Sequence, residues 1–136
     1  MDELVFLDSS FFKAIIDPKD EFHKKASRNL LEFKSKKTPL VTSNYILDET
    51  FTLIRARCGR LKLKEFRNFL NESEDEIKVY RVTVSDEAGA WDWILENWSN
   101  LSFTDCASFA LMRRLRIKSV ATFDTHFARA GFKIKD

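Results

Sequence analysis

The sequence is poor in everything that loosens a chain. It has three glycines and two prolines in 136 residues, which leaves no stretch suited to a long flexible linker. Cysteine is scarce too. Cys58 and Cys106 each sit beside apolar residues in helical patterns, with no closely spaced partner, so a Cys-based zinc site is excluded and both read as small buried side chains of a reducing compartment. No apolar run approaches the ~18 residues that a membrane span needs. The opening MDELVF is acidic and then immediately strand-like, unlike a signal peptide. There is no G-x-x-x-x-G-K and no G-x-G-x-x-G, so nothing cradles a nucleotide phosphate in the usual ways. No internal repeat or low-complexity tract is present. A large excess of one charge is also missing: 23 basic against 21 acidic residues give +2, which by itself does not point to nucleic acid. A soluble cytoplasmic protein is expected.

The length suggests one domain over residues 1–136, long enough to bury a core without staples. Thirteen phenylalanines must supply much of that core. Residues 4–7 (LVFL) form an apolar run too short for a helix and read as a buried strand. A helix follows from Asp8-Ser9-Ser10 to about Asp17, before Pro18. Asp20 opens a second helix with Phe22, Ala26, Leu30 and Phe33 at helical spacing, His23 lying on its solvated face. Residues 39–42 read as a strand. Ser43 or Asn44 caps a helix ending near Cys58, with Gly59 as its stop, and a further helix begins near Leu61. Residues 77–84 alternate as a strand. Ser85 caps the next helix, whose inner face would carry Ala88, Trp91, Ile94, Leu95 and Trp98, leaving Trp93 on the surface. A helix from Ser102 or Thr104 to Arg116, a strand over 119–123, a short helix over 125–130 and a strand over 132–134 complete the chain. Strands alternating with helices imply βαβ units and a mostly parallel sheet, with ligands bound beyond the carboxyl ends of its strands.

Four acids stand at such places: Asp8 in VFLDSS, Glu49 in YILDETF, Asp105 in LSFTDCASFALM and Asp124 in VATFDTHF. In a parallel sheet they can converge, and four carboxylates together demand a divalent cation. Taken singly, three have simpler readings. Asp8 and Asp124 suit helix N-caps, and Asp105 suits a capping box with Ser102. Glu49 is harder to dismiss, because Tyr45, Ile46, Thr52 and Leu53 surround it on the helix, whereas Asp48 faces solvent. His126, in a short helix, reads as structural. Ser9 and Ser10 lack a paired His–Asp arrangement. Two basic clusters, Arg55, Arg57, Arg60, Lys62, Lys64 and Arg67, and Arg113, Arg114 and Arg116, are either solvated helix faces or contacts for a phosphate backbone.

With these acids in order, the sequence resembles a PIN domain, and within that superfamily the VapC-type toxins of prokaryotic toxin–antitoxin systems. The resemblance covers nearly the whole chain and is strongest in LSFTDCASFALMRRLRIKSVATFDTHFARAGF. It implies a three-layer, Rossmann-like α/β fold with a five-stranded sheet flanked by helices, and a metal-dependent endoribonuclease. Asp8, Glu49, Asp105 and Asp124 become the acidic site, with Asp8 and Asp105 as leading ligands of Mg²⁺ or Mn²⁺ and the Thr104 hydroxyl in support. Arg55, Arg57, Arg60 and Lys62 become candidate RNA contacts. An RNA substrate, a cognate antitoxin whose tail covers the acidic groove, and a homodimer are further implications. Such a site suits phosphodiester hydrolysis.

Two other readings stay open at this point. A receiver-like signalling domain shares the parallel fold, but it needs a lysine after a late strand, where Phe123-Asp124 stands here. A catalytically silent RNA- or protein-binding PIN module would not need its acids intact.

Overall fold

The structure is a computed structural model describing residues 3–135. Met1, Asp2 and Asp136, and with them the expected domain limits and the start of MDELVF, lie outside the described residues.

Five strands form one sheet in the order β3-β2-β1-β4-β5, where β1 is Val5–Leu7, β2 Leu40–Ser43, β3 Ile77–Tyr80, β4 Ser119–Ala121 and β5 Lys133–Ile134. Every neighbouring pair is parallel. All residues of β1, β2 and β4 are buried, although successive side chains point to opposite faces, so both faces are covered by helices and the layers number three. The helices are α1 (Ser9–Ile16), α2 (His23–Ser35), α3 (Asn44–Cys58), α4 (Arg60–Glu72), α5 (Val84–Ile94), α6 (Phe103–Arg114) and α7 (His126–Arg129). Among the described residues no helix is long and apolar enough to cross a membrane.

Phenylalanine builds the core as expected. Phe6, Phe11, Phe12, Phe66, Phe109 and Phe127 are wholly inaccessible. Phe12 meets Phe66 edge-on at 5.3 Å, and Phe109 meets Phe127 likewise at 5.1 Å, a geometry that adds to the gain from burial. Cys106 is buried and Cys58 partly so, and burial pushes the Cys106 thiol up to about 11.

Local chemistry sets the boundaries. Ser43 caps α3 by accepting from Ile46 N, and Gly59, at φ 89°, ends α3 and turns directly into α4. Helix α2 begins at His23, later than expected, because Asp20 takes the Phe22 N–H into a turn. His23 is not solvated among its lysines; its Nδ1 lies 2.7 Å from the Ala14 carbonyl of α1. The strand expected over 77–84 stops at Tyr80, since Val82 N leaves the ladder for Asn44 Oδ1 at 2.8 Å. Helix α5 is capped by Thr83 in a reciprocal box with Asp86, not by Ser85. The strand expected over 119–123 ends at Ala121, and α6 ends at Arg114, with Arg116 at φ 58°.

The inner face of α5 also differs from expectation. Asp86 and Ala90 are buried, and Trp93 packs edge-on against Phe109 at 5.1 Å and Trp98 at 5.8 Å. Trp91 is 61% and Leu95 76% exposed. Buried Asp86 fixes this phase by taking a two-pronged contact from Arg114, at 2.7 and 2.9 Å. Arg113 lies over the Trp93 ring at 4.8 Å. Arg113 and Arg114 of that cluster are therefore committed to the fold.

Candidate active site

Strand β1 runs up the middle of the sheet, and the chain leaves it first toward β2 and later returns to its other side as β4. That reversal opens a crevice at the carboxyl ends of β1 and β4, the place where open α/β sheets bind ligands. Asp8 directly follows β1, and its N–H extends the ladder to the Ala121 carbonyl at 3.1 Å. Asp124 follows β4 by three residues. Glu49 comes from the second turn of α3, and Asp105 from the first turn of α6.

The structure brings all four together. Asp8 feels the charges of Asp105 and Glu49, Glu49 those of Asp105 and Asp124, and Asp105 that of Asp124. Asp8 is 2% exposed and Asp105 5%. Glu49 is half-buried, while Asp48 is exposed. Burial first, and then the neighbouring carboxylates, push Asp8 up to about 7. The same two causes raise Glu49 and Asp105 above the ordinary carboxylate range.

Each acid is oriented by hydroxyls or helix ends. Thr122 Oγ1 and Ser10 Oγ reach Asp8 Oδ2 at 2.7 and 3.0 Å. Ser9 Oγ donates to Glu49 Oε1 at 2.5 Å, and the Thr104 hydroxyl also favours the charged form of Glu49. Asp105 is the capping-box member that its spacing suggested. Its Oδ2 accepts from Ser102 N at 3.2 Å while Ser102 Oγ accepts from Asp105 N at 3.0 Å. The cap and the site role are thus the same carboxylate. Asp124 N donates to Thr122 Oγ1 at 3.0 Å, and Asp124 Oδ1 accepts from His126 N at 2.9 Å.

The donor set fits a hard divalent cation. Asp8 Oδ1 is buried without any hydrogen-bond partner, an acceptor facing nothing that donates. A cation beside it would satisfy that oxygen and relieve the repulsion that raises three of the carboxyls.

Three contributors went unforeseen. Thr122 and Ser10 hold Asp8; a hydroxyl next to an acid at a strand end was the available signal. His126 was read as structural, yet its Nδ1 lies 3.3 Å from Asp105 Oδ2 and 3.2 Å from Asp124 Oδ1. Of the candidate RNA contacts, Arg55, Arg57 and Arg60 are exposed, and Lys62 pairs with Glu65 at 3.0 Å. Arg60 joins Phe51, Leu63, Lys64 and Arg67 around a cleft with an apolar floor.

Residues 5–133 match the PIN domain family. The chain is 34% identical over 130 residues, 95% of each protein, to the 23S rRNA-specific endonuclease VapC20 of Mycobacterium tuberculosis. The crystal structure of that protein, described as a sarcin–ricin-loop-cleaving toxin, superposes with a TM-score of 0.81 at 33% identity, covering 94% of this chain and 95% of the other. FitAcB from Neisseria gonorrhoeae shares the fold alone, with a TM-score of 0.62 at 13% identity over 97% of this chain and 96% of the other.

Proposed function

The chain belongs to the PIN-domain family, and on that premise we propose that it is a metal-dependent endoribonuclease, the toxin of a toxin–antitoxin pair. The observation that carries this reading is the convergence of Asp8, Glu49, Asp105 and Asp124, together with a buried Asp8 oxygen that has no partner. Likeness over 95% of the chain to an enzyme named for cutting 23S rRNA supports RNA as the substrate, and large-subunit ribosomal RNA as its class.

Asp8 and Asp105 would hold a Mg²⁺ or Mn²⁺ ion, with Glu49 and Asp124 completing its surroundings. Bound there, a divalent ion supplies charge neutralisation and Lewis acidity toward the phosphate oxygens. The protein's own groups then have distinct tasks. Thr122 and Ser10 fix the rotation of the Asp8 carboxylate, and the capping box fixes Asp105. Ser9 occupies Glu49 Oε1, which leaves Oε2 to accept a proton from the attacking water. Thr104 favours the charged form of Glu49, opposing the burial and the neighbouring carboxylates that raise it. The exposed Arg55, Arg57 and Arg60, with Lys62, would neutralise flanking phosphates. The cleft of about 630 Å³ that Asp124 helps to line suits a backbone less well, because Asp17, Asp20 and Glu21 also line it and Lys13 is held by Asp17 and Asp20.

A cognate antitoxin and a homodimer belong to the same reading. The dimer is supported by the stripe Val84, Trp91 and Leu95 on and just after α5, which are 82%, 61% and 76% exposed and recur at helical spacing.

The test is cleavage of total cellular RNA and of intact ribosomes by antitoxin-free protein in Mg²⁺, Mn²⁺ and EDTA, with Asp105→Asn alongside. Discrete fragments that need metal and vanish in the variant are expected. Cleavage that persists in Asp105→Asn would place the chemistry elsewhere. Folded protein that cuts nothing would favour a silent binding module.

A further inference from the structure

His126 sits against the acidic site in a way that its ring chemistry constrains. Its Nε2 lies 2.8 Å from the Ser99 carbonyl, which can only accept, so Nε2 carries the hydrogen. In the neutral ring Nδ1 is then a bare lone pair. It faces Asp105 Oδ2 at 3.3 Å and Asp124 Oδ1 at 3.2 Å, two atoms that also only accept when ionised. Three acceptors turned toward one another are relieved either by a proton on Nδ1 or by a metal ion between them. The ring is held in this pose. Trp98 stacks on it at 6.3 Å and 23°, and Arg129 caps the Trp98 ring at 4.5 Å. Handing one ring N–H to a backbone carbonyl is how metal-ligating histidines have their free nitrogen aimed. One donor atom from each of Asp105, Asp124 and His126 falls within 4.8 Å of the others. Asp8, whose Oδ1 is buried and unpartnered, is the next carboxylate beyond Asp105.

We propose that Nδ1 of His126 is a direct ligand of the cation held by Asp105 and Asp124, and that this nitrogen makes the site select Mn²⁺ over Mg²⁺. Mg²⁺ takes oxygen ligands and sheds its waters reluctantly, whereas Mn²⁺, a first-row transition ion, accepts an imidazole nitrogen more readily, though less strongly than the later metals do. The inference rests on the reading of the acids as a metal site and specifies its coordination. It also gives His126 a role that helix packing alone would not.

The test needs no RNA. Untagged protein is stripped with EDTA, dialysed and titrated with Mn²⁺, with binding followed by electron paramagnetic resonance and Mg²⁺ used as competitor. Pulsed measurements on the Mn²⁺ complex then report ¹⁴N coupled to the ion. The chain has two histidines, and His23 is turned to the Ala14 carbonyl, so a directly bound imidazole nitrogen identifies His126. One such coupling is expected. His126→Asn places an amide oxygen near the Nδ1 position; it should abolish the imidazole signal and weaken Mn²⁺ by about tenfold or more, with Mg²⁺ affinity changed far less. Mn²⁺ bound by the unmodified protein without ¹⁴N coupling would overturn the inference and leave the nuclease reading intact; His126 would then be an imidazolium bridging two carboxylates. Absence of binding by either metal would overturn both. A variant that fails to fold changes nothing, because the unmodified protein gives its answer alone.

Discussion

Thr122 donates to Asp8 across 114 residues of sequence, at 2.7 Å, and the bond occupies Oδ2. Ser10 meets the same oxygen, so the other, Oδ1, is left alone in the interior. The carboxylate is thus aimed before any ligand arrives.

Removing that aim should be costly. Thr122→Val keeps the shape of the side chain and deletes the hydroxyl. It strips one partner from Asp8 and the acceptor of Asp124 N, and should destabilise by about 1–3 kcal/mol. Chemical denaturation gives the first number, and titration of metal affinity at pH 7 should show a loss as well. A variant with unchanged affinity would mean that Thr122 has no orienting role.

The acids should make the metal-free protein less stable as pH rises. Asp8 is raised in the folded state, so the folded chain binds the proton more tightly than the unfolded chain. Stability is then highest below the unfolded value of 3.8 and falls until pH passes about 7. For Asp8 the whole effect is at most about 4 kcal/mol, and Glu49 and Asp105 act in the same direction. Asp8→Asn should raise the melting temperature of EDTA-treated protein at pH 8 and leave it nearly unchanged at pH 4. Equal shifts at both values would show that charge repulsion is not the cause.

Asp105→Asn separates the two duties of that side chain. Its amide oxygen can still accept from Ser102 N, so the fold should survive with a loss of about 1 kcal/mol or less. RNA cleavage should disappear. Ser102→Ala is the converse. It removes the cap at a cost of about 1 kcal/mol and should leave cleavage measurable.

Arg114→Ala should destabilise by about 2–3 kcal/mol, because Asp86, at 1% side-chain exposure, would keep its charge without its two-pronged partner. Lysine should restore only part of this, since it lacks the fork. Unfolding curves for the three forms decide the matter, and similar stabilities would mean that the pair is dispensable.

Trp91→Glu should convert the protein to a monomer by light scattering, if the exposed stripe on α5 is where two copies meet. An unchanged mass would move the interface elsewhere.

The four acids were legible because each stands at a local junction. Asp8 ends a strand, Asp105 closes a capping box, and Glu49 shares its helix with apolar neighbours. What is not legible there depends on distant partners. Trp91 and Trp93 exchanged their expected places because α5 carries apolar residues on two faces, and periodicity alone could not choose between them. The choice is made by Asp86 and Arg114, 28 residues apart. Likewise β3 is shorter than its pattern suggests, because Val82 is as apolar as a strand residue while the Asn44 side chain that draws it off comes from another element, α3. His126 looked structural from its own short helix; only the fold shows which carboxylates it faces.

The parallel order of the sheet also has a meaning in time. A ribosome making this chain delivers Asp8 and Glu49 first, and Asp105, β4 and, just after it, Thr122 emerge only roughly fifty or more residues later. Until β4 slots in beside β1, the crevice has one wall. A nascent chain without β4 therefore lacks part of the acidic set and the wall that aims Asp8, and the machine that builds it is spared an armed product until β4 has been made.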